Sequence, residues 1–278
     1  ERIAGLITAL VVVGSTALVA GFLLAICRWI DSILHIAVST LMIYSTLACR
    51  DLIVHSNRVY IALTAGDIAK ARERVGRMVG RDVEGLDEEQ VARAAVESVA
   101  ESTVDGVTAP LFYALVGGPL GAVIYRAINT LDSSFGYQNE KYIRFGWASA
   151  KIDDLANYIP ARLTAPLMCV AAGLLRLNFR NAWRVLASDR RSHASLNAGY
   201  AEAAMAGALG VQLGGRNSYF GEPSEKPLIG EKKEKLNKAH IKNANNVVVL
   251  TAVLFLLLGI AIRLGAIRLL INYGGISI

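Results

Sequence analysis

The sequence predicts an all-α, polytopic integral membrane protein, with broken or re-entrant helices and helical regions facing the cytoplasm. Three observations carry that expectation. The 278 residues are 54% hydrophobic and only 19% charged, with a mean hydropathy of +0.41, whereas soluble domains are typically about 45–50% apolar and about 25% charged. Ile3 to Cys27 is a run of 25 residues without a charge, longer than the roughly 20 that a helix needs to cross the hydrocarbon. Several later apolar runs are interrupted by Pro or Gly-Gly, which membrane helices tolerate where protein or a polar cavity surrounds the break.

Taken in order, residues 1–49 read as two transmembrane helices. The first has no small-residue cleavage site behind a basic region, so it reads as a true span rather than a signal peptide. The second, Trp29 to Cys49, carries Asp31 and His35 near its start, either paired at the boundary or facing a bundle interior. Residues 50–82 hold seven Lys/Arg against four acids and read as a surface helical pair on the cytoplasmic side. Asp87, followed by Glu88, Glu89 and Gln90, has the form of a capping box that starts a helix.

That helix carries Glu97, Glu101 and Asp105, spaced four apart and therefore on one side. Like charges at this spacing repel, and a divalent cation or a cationic partner removes the cost. A solvated acidic face is the plainer alternative. The apolar run 107–128 is broken by Pro110 and by Gly117-Gly118-Pro119, which predicts a hairpin or a bent helix. A second polar centre, 129–162, contains Asn129, Asp132, Asn139, Asp153, Asp154, Asn157 and Arg162. It is also rich in aromatic residues (Phe135, Tyr137, Tyr142, Phe145, Trp147, Tyr158).

The segment near 163–177 is short for a span and is expected to be re-entrant. Without re-entrant segments the two polar centres fall on opposite faces of the membrane. Within 178–246, Leu213 to Asn217 and Phe220 to Pro223 read as loops, and the lysine-rich 225–242 as a solvated helix. The region 50–246 is thus a polar helical catalytic region, and 247–278 a C-terminal membrane segment, of which Val247 to Ile262 can cross.

A net charge of +6 and a pI of about 9.3 suit loops facing an anionic leaflet, or anionic substrates. No arginine-rich tail or basic aromatic patch points to nucleic acid. Cys27, Cys49 and Cys169 give neither a disulfide framework nor a zinc spacing. His35, His55, His193 and His240 are isolated in the sequence, while carboxylates and amides suit magnesium, commonly held by one or two carboxylates plus phosphate oxygens. The residues alone leave open a transferase or ligase, a transporter, and an assembly component.

Longer motifs decide among these. AAVESVAESTVD (94–105), GVTAPLFY (106–113), YRAINTLDSSFG (125–136), FGWASAKIDDLANYIPAR (145–162) and NAGYAEAAMAGALGVQL (197–213) resemble the adenosylcobinamide-phosphate synthase family of cobalamin biosynthesis. The resemblance implies an integral membrane enzyme of the cell (inner) membrane with its site facing the cytoplasm. Such an enzyme joins adenosylcobyric acid to (R)-1-aminopropan-2-ol or its O-phosphate through an amide, consuming ATP with Mg2+. Its acidic and amide positions fall on Glu97, Glu101, Asp105, Asn129, Asp132, Asp153, Asp154 and Asn157. Its other polar positions fall on Arg81, Asn139, Arg162, Asn197, Glu202 and Asn217.

From this we expect Glu97, Glu101, Asp105, Asp153 and Asp154 to hold the metal. A remaining carboxylate, Asp132 among the candidates, would take a proton, and Arg81 or Arg162 would contact phosphate. Phe135, Tyr137, Phe145 and Trp147 either pack on the corrin ring or anchor helices at the interface. The chain departs from the family pattern at Ser102, Ser134, Leu196 and Ala201, and it lacks the family's usual amino-terminal segment. A non-catalytic corrinoid-binding or transport protein and a magnesium-dependent lipid-phosphate transferase are the competing expectations.

Overall fold

A computed structural model describes residues 1–136 and 144–274. Asn139, Tyr137 and Tyr142, singled out above, lie outside the described residues. The chain is mainly helical, with one short hairpin. Four helical stretches, Arg2–Ile30, Ser32–Thr64, Glu88–Phe135 and Lys238–Leu269, are long and apolar enough to cross a membrane by length and composition. The fold divides into two compact units: one of residues 1–47, 108–153 and 252–278, and one of 48–107 and 154–251.

The first unit is built on α1 (Arg2–Ile30), α2 (Ser32–Thr46) and α6 (Ala109–Phe135), which pack against one another. Asp31 does not pair with His35. It caps α2, accepting from the Ile33 and Leu34 amides at 2.8 and 2.9 Å. His35 Nδ1 instead lies 3.1 Å from the Leu24 carbonyl oxygen, so Nδ1 carries the proton. The break at Gly117-Gly118-Pro119 is a bend within α6 rather than a hairpin. Gly118 has φ 62 and ψ −155, a region open essentially to glycine alone. The later part of α10 (Lys238–Gly274) belongs here too, with Arg263 donating to the Leu115 carbonyl at 3.1 Å. After Ile262 the same helix continues to Gly274.

The second unit contains the surface pair expected from 50–82, as α3 (Cys49–Thr64) and α4 (Ile68–Val75). At its centre is α5 (Glu88–Thr103), started by the Asp87–Gln90 capping box with both reciprocal bonds made, at 2.8 and 2.9 Å. Val91, Ala92, Ala94, Ala95, Val96, Val99 and Ala100 are all fully buried, because small residues let α3, α4 and α9 (Ala198–Leu209) close on it. A π-helical turn, Val104–Thr108, follows. Residues 163–175 are not a separate element. Up to Leu174 they form the C-terminal half of the continuous α7 (Trp147–Leu174), which runs through Pro160 and Pro166. A tight turn with Arg176 at φ 58 then leads into α8 (Phe179–Asp189).

The all-α expectation needs one correction. Residues 213–217 and 220–223, read as loops, and the first part of 225–242, read as a solvated helix, form an antiparallel hairpin of β1 (Leu213–Tyr219) and β2 (Glu222–Ile229). Its two-residue turn, Phe220-Gly221, has φ 55 and 83, the positive pair that matches the twist of a tight hairpin. Helix resumes only at Lys238. Asp82 fastens the turn: its carboxylate accepts from Ser218 Oγ at 2.5 Å, the Gly221 amide at 2.8 Å and the Phe220 amide at 3.1 Å. These bonds, the Ser218 hydroxyl first, hold its carboxyl below the usual range.

Candidate functional site

Glu97 points not to solvent but into the second unit, where it is 3% exposed. Arg81, in the segment before α5, donates to one Glu97 oxygen and to Asn217 Oδ1. The other oxygen accepts from the Gly214 amide at 2.7 Å and faces Arg93 Nε at 3.9 Å. Arg93 also donates to the carbonyls of Gly214 and Arg216 at 2.6 and 2.8 Å. The hairpin thus reaches α5 through Gly214, whose φ of +83 and close approach to the Pro227 carbonyl leave no room for a Cβ. This lattice satisfies a buried carboxylate with two guanidiniums and an amide, the arrangement that burial of charge requires.

Glu202, on α9, is 2% exposed. Burial, then the charges of Glu97 and Glu101, push its carboxyl up to about 8. His193 lies beside it, with Nε2 3.7 Å from Glu202 Oε1. The Ser195 amide donates to His193 Nδ1 at 2.9 Å, which puts the neutral ring's proton on Nε2, facing Glu202. Burial and then the Lys226 cation push the imidazole below its usual range. Burial opposes the Lys226 ammonium, but Tyr219, Glu202, Glu101 and Glu97 outweigh it and raise its pKa. Near neutral pH the Glu202–His193 pair therefore carries little charge, and Glu202 sits close to its titration point.

A second group in this unit surrounds Arg162. Its guanidinium donates to the Tyr158 carbonyl at 2.7 Å and to Asn197 Oδ1 at 3.3 Å, and lies 3.3 and 4.5 Å from the ring centroids of Tyr158 and Tyr200. Asn197 Nδ2 donates to the Asp154 carbonyl at 2.8 Å, so Asn197 binds Asp154 through its backbone. Asn157 is buried one turn away.

The residues expected from sequence are therefore distributed as follows. Arg81, Glu97 and Asn217 are bonded together, with Glu202 within electrostatic reach of Glu97. Arg162, Asn197, Asp154 and Asn157 share the second group, while Glu101 stays exposed on α5 and Asp105 lies in the π turn. Asn129, Asp132 and Asp153 fall in the other unit, where Arg126 donates to Asn129 at 3.2 Å. Among the described residues no three His, Cys, Asp or Glu side chains group as metal ligands. Of the acids assigned to magnesium, Glu97 is instead engaged by arginine, the cationic partner that its spacing left open. Sequence reasoning did not single out Arg93 or Lys226, and it left His193 as an isolated histidine and Gly214 in a loop. Only Arg93, four residues before Glu97, offered a local signal.

Membrane-length apolar helices, together with a unit that holds a buried ionic lattice, define a class: helical proteins with both apolar spans and a polar site. Within that class the chain belongs to the CobD/Cbib protein family, which matches residues 1–248. It is 44% identical over 266 residues to the cobalamin biosynthesis protein CobD of Leptospira interrogans, covering 96% of this chain and 84% of that protein. The protein of the same name from Clostridium perfringens is 45% identical over 262 residues (94% and 83%). That from Geobacter metallireducens is 51% identical over 231 residues (83% and 73%). No solved structure matches the chain.

Proposed function

We propose that this chain acts in cobalamin biosynthesis as an ATP- and magnesium-dependent ligase. It would join adenosylcobyric acid to (R)-1-aminopropan-2-ol or its O-phosphate and yield adenosylcobinamide or its phosphate. The observation that carries this reading is the near-full-length relationship to proteins named for cobalamin biosynthesis. The motifs over 94–162 and 197–213 supply the finer assignment.

The chemistry asks for a phosphate-neutralising group and a proton acceptor. A carboxylate is a poor electrophile, so its oxygen first attacks a phosphorus of ATP, giving a mixed anhydride: an acyl phosphate with ADP leaving, or an acyl adenylate with pyrophosphate leaving. The amine nitrogen then bonds to the acyl carbon, the phosphate-linked oxygen leaves, and the nitrogen gives up a proton. Glu202, titrating near 8, serves as general base in the fraction that has lost its proton, a fraction that grows as pH rises toward that value. Arg162 is assigned to the anionic groups of the substrates. Arg81 and Arg93 are committed to Glu97 and hold the hairpin to α5.

Magnesium carried with ATP takes one or two protein carboxylates and completes its shell with phosphate oxygens and water. The exposed Glu101, with Asp105 one turn on, fits that habit, and Glu97 does not. When bound, the ion neutralises phosphate charge. The protein is placed in the cell (inner) membrane with residues 50–82 toward the cytoplasm, supported by its apolar helices and by the basic excess of that stretch.

The test is product formation by purified protein given adenosylcobyric acid, ATP and each amine in turn, with masses measured for the corrinoid and the released nucleotide. An ATP-dependent mass increase equal to the amine minus water is expected. Corrinoid binding without that increase, under every amine, would overturn the enzyme reading.

A further inference from the structure

Away from the Glu97 lattice, the second unit carries a groove of about 480 Å³ between α3 and α4. Arg58, Lys70, Arg74 and Arg77 line it, against one lining acid, Asp67. Asp67 is already occupied as the N-cap of α4, accepting from the Lys70 amide at 2.9 Å. Arg77 pairs with Glu73 at 2.7 Å. Arg58, Lys70 and Arg74 have no ion-pair partner among the described residues. Ile61, 63% exposed, forms part of the apolar lining. Self-repelling cations held around one concavity are stabilised by an anion, and guanidinium groups match phosphate oxygens by geometry as well as charge.

We propose that the α3–α4 groove binds a phosphate group, the chemistry shared by an acidic phospholipid headgroup and a soluble phosphate ester. The apolar lining accommodates the carbon skeleton attached to it. The site is independent of amide formation, and its test does not use activity.

The experiment uses the full chain in detergent, titrated separately with short-chain phosphatidylglycerol, short-chain phosphatidylcholine and inorganic phosphate, with binding read by native mass spectrometry and by thermal shift. Preference for phosphatidylglycerol over phosphatidylcholine, with no effect of phosphate, assigns the groove to lipid. Saturable binding of inorganic phosphate without lipid preference assigns it to a soluble ester, and both together assign it to phosphate from either source. In each case R58Q/R74Q is expected to weaken binding about 25-fold, about fivefold per cation removed. The surface-charge control R180Q/R191Q should leave binding unchanged. Arg58 is exposed and Arg74 makes no ion pair among the described residues, so a melting curve like the wild type's checks that the double variant folds. If R58Q/R74Q folds and binds like the wild type, if the control weakens binding as much, or if neither phosphatidylglycerol nor phosphate binds, the proposal is overturned.

Discussion

The two units use burial in opposite ways. In the first, large apolar side chains face outward, with Leu18 75%, Val19 68% and Phe22 69% exposed. In the second, the interior is alanine-rich and contains charges: Arg81, Glu97 and Glu202 are all under a tenth exposed. Apolar surface on that scale is unfavourable in water and neutral in hydrocarbon, while a buried carboxylate persists only with partners or with a bound proton. The contrast teaches that charge inside the second unit is held by two devices. Glu97 is paired by arginines, whereas Glu202 is pushed up until it holds its proton near neutrality.

The largest effect expected from this contrast is at Glu97. Replacing it with Ala leaves the buried Arg81 guanidinium without its carboxylate and removes the charge that the half-buried Arg93 faces, which costs about 3–5 kcal/mol in denaturant unfolding of the detergent-solubilised protein. A double variant with Arg81→Ala is expected to lose less than the sum of the single losses, since the partners are then removed together. In the first unit, Leu18→Arg places a charge near the middle of α1, which costs about 2.5–3.5 kcal/mol for insertion at a helix centre. A lower fraction resisting alkaline extraction from membranes would show it. Unchanged extraction would mean that these outward-facing apolar side chains do not meet lipid.

Glu202 sharpens the second device through pH. Its ordinary value is 4.5 and burial raises it to about 8, so between these values the folded chain holds a proton that the unfolded chain has released. This contribution is fully present below 4.5, diminishes as pH rises, and is lost above about 8. Glu202→Gln is expected to flatten that part of the stability–pH curve, measured as melting temperature across pH 5–9 (a range of about four units around the shift). The smallest stability effect belongs to Glu101→Gln, an exposed substitution expected within about 0.5 kcal/mol.

Much of the helical plan was legible. Asp87-Glu88-Glu89-Gln90 encodes its own cap, the uncharged run after Arg2 is α1, and Gly118-Pro119 marks the bend in α6. The hairpin was not legible, because β2 reads EPSEKPLI, with two prolines and only Ile229 buried, so no alternation appears. Nor was the split within the acidic stripe. Spacing places Glu97 and Glu101 on one side of a helix but says nothing of what covers that side. The covering groups, Arg81 and the hairpin residues Gly214 and Asn217, come from distant parts of the chain. Val91, Ala92, Ala95, Val96 and Val99 surround α5 on most sides, a sign of burial that the acids obscured.

On the proposed function, neighbouring acids on α5 divide the work: Glu97 is bonded within the fold, and the exposed Glu101 serves the chemistry. This division is tested most directly by measuring melting and ATP-dependent amide formation together for Glu101→Gln. The expected result is a protein that melts like the wild type and forms no amide. Undiminished amide formation by that variant would contradict it.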